Sequence, residues 1–167
     1  QKTKLSLRIN EIFYSIQGES TRTGLPTVFI RLTGCPLRCQ YCDTAYAFHA
    51  GQRISLSTLL NKTATFHTPY VCITGGEPLA QPESLPLMVA LCDAGYQVSL
   101  ETSGALPIHA VDPRVCRVVD LKTPGSGEVH RNLPENITAL TAHDQLKMVI
   151  CDYQDYIWCR RFVENHP

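Results

Sequence analysis

No stretch of this chain stays apolar for the ~20 residues that a bilayer-spanning helix needs, which argues against a membrane protein. Neither sign of charge is in excess. Fifteen Lys and Arg balance fifteen Asp and Glu, so the electrostatic footprint of a nucleic-acid or membrane surface is missing. There is no repeat, low-complexity tract or linker-like run, and 167 residues is a length suited to one domain, so residues 1–167 are expected to form a single domain. A domain of that size buries roughly 70% of its unfolded surface and needs no disulfides. The opening Gln1-Lys2-Thr3-Lys4-Leu5-Ser6 has no long apolar core behind it and does not read as a signal peptide.

Cysteine, by contrast, is abundant. The chain has eight, in an otherwise ordinary globular composition of 44% apolar and 18% charged residues. A secreted disulfide scaffold would account for eight cysteines, but such scaffolds are shorter and loop-rich, and this chain has several apolar strand-like runs. Three cysteines are clustered and five are scattered. That favours a metal site in a reducing compartment, and hence a cytoplasmic location. The scattered Cys72, Cys92, Cys116, Cys151 and Cys159 fall in strand or helix runs and read as small buried hydrophobes.

Alternation and β-rich runs mark strands at Arg8–Ile16, Thr27–Leu32, Tyr70–Thr74, Gln97–Leu100, Cys116–Leu121 and Leu146–Cys151. Ser55 or Ser57 can cap a helix running to about Thr65, Pro82–Ala94 reads as a helix closed by Gly95, and Tyr153–Glu164 as a terminal helix. Strands alternating with helices imply an α/β fold with a parallel sheet. The units are too few for a full eight-fold barrel, so a partial (β/α) barrel or an open sheet is expected. Ligands then bind at the C-terminal ends of the strands. The polar motifs fall there: Gly34-Cys35, Thr74-Gly75-Gly76-Glu77-Pro78, Glu101-Thr102-Ser103 and Lys122-Thr123-Pro124.

Cys35-Pro36-Leu37-Arg38-Cys39-Gln40-Tyr41-Cys42 places three thiols within eight residues. An iron–sulfur cluster usually takes four cysteines, one per iron, and no fourth is nearby. Three ligands leave one iron open to substrate or cofactor, as an open position does on a catalytic zinc. Tyr41, just before the third cysteine, supplies apolar cover that limits solvent access. The alternative is structural zinc with a fourth ligand from His49 or Cys72.

CxxxCxxC with Tyr41, followed by Thr74-Gly75-Gly76-Glu77-Pro78, resembles the radical S-adenosylmethionine superfamily. That resemblance implies a [4Fe–4S] cluster on Cys35, Cys39 and Cys42, with S-adenosylmethionine chelating the open iron and the Thr74–Pro78 segment, Gly75, Gly76 and Glu77 included, meeting its amino group. Glycines let backbone approach a ligand closely. A narrower resemblance covers nearly the whole chain. Glu11-Ile12-Phe13-Tyr14-Ser15-Ile16-Gln17-Gly18-Glu19, Cys42-Asp43-Thr44, Glu101-Thr102-Ser103-Gly104, Asp120-Leu121-Lys122-Thr123-Pro124 and Asp144-Gln145-Leu146-Lys147 look like the 7-carboxy-7-deazaguanine synthase family.

Matched residue by residue, the resemblance implies that Tyr41, Cys42, Asp43, Gly76, Ser103, Lys122, Thr123 and Pro124 touch S-adenosylmethionine. It implies that Thr44 binds Mg²⁺, with Asp43 a possible second ligand. Ile16, Gln17, Gly18, Glu19, Arg31 and Thr74 would form the substrate pocket. It further implies ring contraction of 6-carboxy-5,6,7,8-tetrahydropterin to 7-carboxy-7-deazaguanine with loss of ammonia, for queuosine and other 7-deazapurines. The partners implied are a flavodoxin- or ferredoxin-type electron donor and a second copy in a homodimer. Arg31 would grip the substrate carboxylate, although a strand-end arginine can equally pair with a surface acid. Asp43-Thr44 could instead be a helix cap. Two departures stand out. Ser20 occupies a position often held by Gly, and Pro167 follows soon after the last helix, where some relatives bring a terminal carboxylate to the pocket. Two rival classes are a radical enzyme that activates a glycyl-radical protein, and a zinc-binding module without enzymatic activity.

Overall fold

The computed structural model describes residues 5–166, so Gln1–Lys4 and Pro167 lie outside the described residues. Seven strands form one sheet: β1 (Ser6–Ile16), β2 (Pro26–Leu32), β3 (Gln52–Ser55), β4 (Tyr70–Gly75), β5 (Gln97–Thr102), β6 (Cys116–Asp120) and β7 (Gln145–Lys147). Their order is β3-β1-β2-β4-β5-β6-β7. From β2 to β7 every pairing is parallel, while β1 runs antiparallel to both β2 and β3. The helices are α1 (Leu56–Ala64), α2 (Ser84–Asp93), α3 (Pro134–Thr138) and α4 (Tyr153–Asn165).

The pleat divides the strand residues between two faces. Val28, Ile30 and Leu32 of β2, Val71 and Ile73 of β4, and Val98 and Leu100 of β5 pack with Leu59 of α1 and Leu87, Met88 and Leu91 of α2 as the hydrophobic core. The alternate residues point to the other face. There the strand registers align Phe13, Phe29, Cys72, Ser99 and Cys116 in one row across five strands. Toward the C-terminal ends, the next row begins Glu11, Arg31, Thr74. A β-bulge between Ile9 and Glu11 of β1 makes this possible. Leu7 and Ile9 face the core before it, and Ile12 faces the core after it. The extra residue thus turns Glu11 and Phe13 to the second face.

The sheet is open, yet it curves enough for the β1–β2 connection to reach β7. Gln17 N–H donates to Leu25 O (2.9 Å) and Gly24 N–H to Gln17 O (2.8 Å), closing the base of that connection. Its tip crosses the second face. Arg22 donates to Gln97 O (2.9 Å), Thr21 N–H to Gln145 Oε1 (2.9 Å), and Gln145 Nε2 back to Thr21 Oγ1 (3.0 Å). The result is a partial barrel with the connection as its floor. Ser20 sits in that turn with φ of 66°, in the left-handed region that a glycine adopts without strain.

Several elements differ from the sequence expectation. The sheet is mixed, because β1 pairs antiparallel. Residues 148–151, expected to extend the last strand, make no ladder. The short β3 and α3 are additional. Cys72, Cys116 and Cys159 are buried as expected, but Cys92 is half-buried and Cys151 is exposed in the loop before α4. Of the two candidate caps for α1, Ser55 is the one used, accepting from Thr58 N–H (3.2 Å). Gly95, at φ of 90°, closes α2 as expected.

A three-residue strand holds little of itself. β7 is tied to β6 by Arg117 and Asp144: Arg117 N–H and Nε both donate to Asp144 Oδ1 (3.0 Å each), and a second guanidinium nitrogen pairs with Oδ2. Burial alone would push the Asp144 carboxyl up. Arg117 and the Thr141 N–H outweigh it and hold the carboxyl at about 2, against an ordinary 3.8. Its stabilising contribution is therefore present above about pH 4 and lost as pH falls through about 2. Asp144→Asn should cost about 2 kcal/mol near neutral pH and much less near pH 2. Urea unfolding across that range measures it, and a gap that does not change with pH would contradict the assignment.

Candidate active site

A cavity of about 550 Å³ opens on the second face, at the C-terminal ends of the parallel strands. Cys35, Cys39 and Cys42 all line it. Their loop leaves β2 through Gly34, at φ of 99°, and is anchored by the buried Leu37. It is fastened from three sides: Gly34 N–H donates to Ala47 O (2.8 Å), Gln40 N–H to Ser126 O (3.0 Å), and Glu77 N–H to Gly34 O (2.8 Å). Burial is the largest influence pushing the Cys35 and Cys39 thiols up. A bound metal would reverse that, because coordination takes the thiolate.

The Gly75–Gly76 turn lies against this loop. A Cβ on Gly76 would come within 2.3 Å of Gly34 O and 2.8 Å of Cys35 Cβ, and one on Gly75 within 2.5 Å of Leu32 O. Only glycine lets β4 end so close to the cysteines. Glu77 next to it is fully buried and does not line the cavity. Its carboxyl accepts from Leu79 N–H (2.9 Å), Thr102 Oγ1 (2.8 Å) and Ser103 N–H (2.7 Å).

On the β1–β2 side, Arg31 Nε donates to Glu11 Oε1 (2.7 Å), which also accepts from Tyr46 Oη (2.8 Å). Arg31 still lines the cavity, so it combines the ion pair with a place at the site. On the far side stand Asp120, Lys122, Lys147 and Glu19. Lys122 Nζ lies 3.1 Å from Asp120 Oδ2, and Lys147 pairs with Glu19. Glu101 sits between the two sides and accepts from Thr74 Oγ1 (3.3 Å). Burial raises its carboxyl, and Lys147 only partly offsets that. Tyr41 Oη and Asp120 Oδ1 are buried with no hydrogen-bond partner among the described residues. An unpaired buried polar group costs roughly 1–3 kcal/mol, so both atoms suit a polar ligand.

Residues 29–118, over half the chain, match the Radical SAM superfamily. A 7-carboxy-7-deazaguanine synthase of Chlorobaculum tepidum is 42% identical over 98% of this chain and 76% of its own length. One of Koribacter versatilis is 44% identical over 96% of this chain and 72% of its own. The chain belongs to the 7-carboxy-7-deazaguanine synthase family. The crystal structure of QueE from Escherichia coli shares the fold at a TM-score of 0.78 and 26% identity, covering 95% of this chain and 78% of that one. Family membership makes the chain a radical S-adenosylmethionine enzyme with a [4Fe–4S] cluster. It sets aside both the zinc module and the glycyl-radical activator.

The donor set fits such a cluster. Among the described residues no three His, Cys, Asp or Glu side chains are grouped to hold a metal ion. A cluster sets a different requirement, since each thiolate binds its own iron. Of the residues expected at the site, Gln17, Gly18, Glu19, Arg31, Tyr41, Asp43, Thr44, Thr74, Gly75, Gly76, Ser103 and Lys122 line the cavity with the cysteines. Ile16, Glu77, Thr123 and Pro124 do not. Ile16 is 68% exposed. Thr123 is buried, its hydroxyl lying 2.9 Å from both Val149 O and Asp155 Oδ2 with one proton to share between them, which locks the turn after β6 onto α4. Asp155, which also accepts from Gly125 and Cys151 N–H, is held below the usual carboxylate range, these bonds outweighing the upward push of burial. Glu101, Asp120 and Lys147 line the cavity too, and sequence reasoning misses them. Counting by two from Thr74 and along β5 to β7 puts them on the same face.

Cys35→Ala, Cys39→Ala and Cys42→Ala should each abolish the brown chromophore of anaerobically reconstituted protein, while Cys92→Ala keeps it. Full iron content in any of the first three would disprove the ligand assignment.

Proposed function

We propose that the chain converts 6-carboxy-5,6,7,8-tetrahydropterin into 7-carboxy-7-deazaguanine with loss of ammonia. The observation that carries this reading is one chamber lined by three thiols, a glycine turn against them and a half-committed guanidinium, Arg31. Cys35, Cys39 and Cys42 would hold the cluster. With S-adenosylmethionine bound it would supply an adenosyl radical able to take hydrogen from the carbon bearing the substrate carboxylate.

The chain's own residues bind, orient and exclude water. Arg31 has its Nε committed to Glu11 and one Nη within 3.4 Å of Gly75 O, which leaves guanidinium donors for a carboxylate. Gln17 is buried, its Oε1 accepting from Glu19 N–H (3.2 Å), and it lines the chamber, where its amide can meet the polar edge of a pterin. Glu101 can hold a proton at that edge, because burial favours its neutral form. Phe13 and Phe29, stacked with centroids 4.9 Å apart, wall the chamber beside Arg31. Asp43 and Thr44 are assigned to Mg²⁺. Thr44 stands at the start of the turn Ala45–Phe48, makes no side-chain cap and has only a 3.8 Å contact to Cys42 Sγ, so its hydroxyl can serve as a hard ligand. The chain is taken to work as a homodimer, as the family resemblance implies.

Anaerobic turnover with the pterin tests the activity, and absence of the deazaguanine product would refute it. Arg31→Lys keeps a charge but loses the planar fork. Loss of one charge-assisted bond of about 1.5–3 kcal/mol should weaken pterin binding roughly 10- to 150-fold, leaving S-adenosylmethionine binding nearly unchanged. Titration of each ligand separates the two, and equal losses would sink the assignment. Mg²⁺ should accelerate turnover, and Thr44→Val should remove most of that gain. Equal rates after chelation would argue against a metal there.

A further inference from the structure

The balanced net charge hides an uneven surface. Arg8 and Arg53 stand directly opposite each other in the β1–β3 pairing. Like charges in that position destabilise a sheet. Leu7 and Ile9 face the core, so the two arginines project from the other face, beside the cysteine loop. Arg8 Nη2 donates to His49 O (2.9 Å), and the His49 ring meets the Phe48 ring edge-on at 6.3 Å. Phe48 lies under the Arg38 guanidinium at 4.1 Å, and Arg38 Nη1 donates to Cys35 O (2.7 Å) and Leu37 O (2.6 Å). An exposed run Arg53–Arg8–His49–Arg38 therefore leads from the sheet edge to the backbone of the first cysteine.

Among the described residues none of these three guanidiniums is in an ion pair; Arg22, Arg131 and Arg161 share that state, while Arg31, Arg114, Arg117 and Arg160 are paired. Arg53 donates to Ser6 O and Oγ instead. Glu11, three residues from Arg8, is paired with Arg31; Glu128 Oε1 accepts from the Arg38 backbone N–H (2.9 Å), and the exposed Asp43 is the acid nearest to Arg38 and Arg53 in sequence. Arg8 and Arg53 each spend donors on neighbouring oxygens, but neither charge is neutralised by a carboxylate among the described residues.

We propose that this face docks an acidic one-electron donor protein, which reduces the cluster through the Cys35 loop. The proposal rests on the reading of Cys35, Cys39 and Cys42 as cluster ligands. Electron transfer falls off exponentially with distance, so a donor must reach the surface nearest the cysteines, and the arginine run reaches Cys35 O itself. A cationic face steers a carboxylate-rich carrier into place. In the step, one electron leaves the carrier's reduced flavin or iron–sulfur group and the cluster gains it, with no bond made or broken and no proton moved.

The test uses Arg53→Glu, which lies outside the cavity, and an acidic flavodoxin as the probe. Fluorescence titration at low salt, with the protein both apo and reconstituted, should show flavodoxin bound roughly tenfold more weakly by the variant, with the gap closing at high salt. The variant's Tm should hold or rise, because Glu opposite Arg8 is a favourable pair. Turnover driven by excess dithionite should match wild type, while flavodoxin-driven turnover falls. Unchanged flavodoxin affinity would overturn the proposal, as would an equal loss of dithionite-driven turnover, or tighter binding of duplex RNA than of flavodoxin to this face. If wild type fails to turn over the pterin even with dithionite, the activity reading fails. Loss of flavodoxin affinity in Arg53→Glu would still support the docking face.

Discussion

Glu77 has no surface open to solvent, and its side chain reaches the ends of two strands at once. Its carboxyl accepts from Thr102 Oγ1 and Ser103 N–H at the end of β5 and from Leu79 N–H beyond β4, while its own N–H donates to Gly34 O at the end of β2. Three strand ends that carry the cysteine loop, the glycine turn and the Glu101–Ser103 corner are thereby fixed relative to one another. Removing the carboxyl would orphan buried donors in all but one of those contacts, and such donors cost far more unpaired than their bonds gain. The glycines matter for the same reason. They bring β4 close enough for the Glu77 N–H to reach Gly34 O, and a Cβ at Gly76 would occupy the space that bond spans.

The sheet's two faces then take different jobs by simple alternation. One face spends its side chains on the core with α1 and α2. The other carries the row from Phe13 to Cys116, and above it Glu11, Arg31 and Thr74. A single bulge in β1 decides whether Glu11 reaches Arg31 or the core. Without it the antiparallel strand would present Ile12 to the chamber, and the guanidinium would lose the acid that orients it. The connection at residues 17–25 completes the enclosure. It crosses to Gln145 because β7 curves back over the floor, so Gln17 and Glu19 reach a wall made by the most distant strand in the sheet.

Much of this was legible in the residues. The cysteine spacing, the Gly75–Gly76 turn and the polar motifs at strand ends state their chemistry locally, and runs of β-branched residues mark β2, β4, β5 and β6. What was not legible depends on contacts remote in sequence. β3 exists because Arg8 and its neighbours offer an edge. β7 stops after Lys147 although Met148-Val149-Ile150 reads as a strand continuing, because no neighbour pairs with those residues. Glu77 has the look of a ligand-binding carboxylate, and its fully buried position behind the turn is not visible in the chain. Lys147 reads as a surface lysine until Glu19 is seen across from it. Ser20 stands where relatives often have glycine, and the serine adopts the left-handed turn that a glycine makes without strain.

The charges around the chamber follow one rule. Burying an isolated charge is expensive, so each cation that lines the chamber is paired: Arg31 with Glu11, Lys122 with Asp120, Lys147 with Glu19. Pairing, however, is incomplete in a patterned way. Arg31 keeps guanidinium donors free on one wall, and on the opposite wall Asp120 Oδ1 and the Tyr41 hydroxyl have no partner among the described residues. A cationic valence thus faces an anionic one across the cavity, with Glu101, shifted toward its neutral form, between them. Such an arrangement favours ligands that carry a carboxylate at one end and donor groups at the other. It discriminates against fully apolar ones, for which both walls would stay desolvated and unpaired.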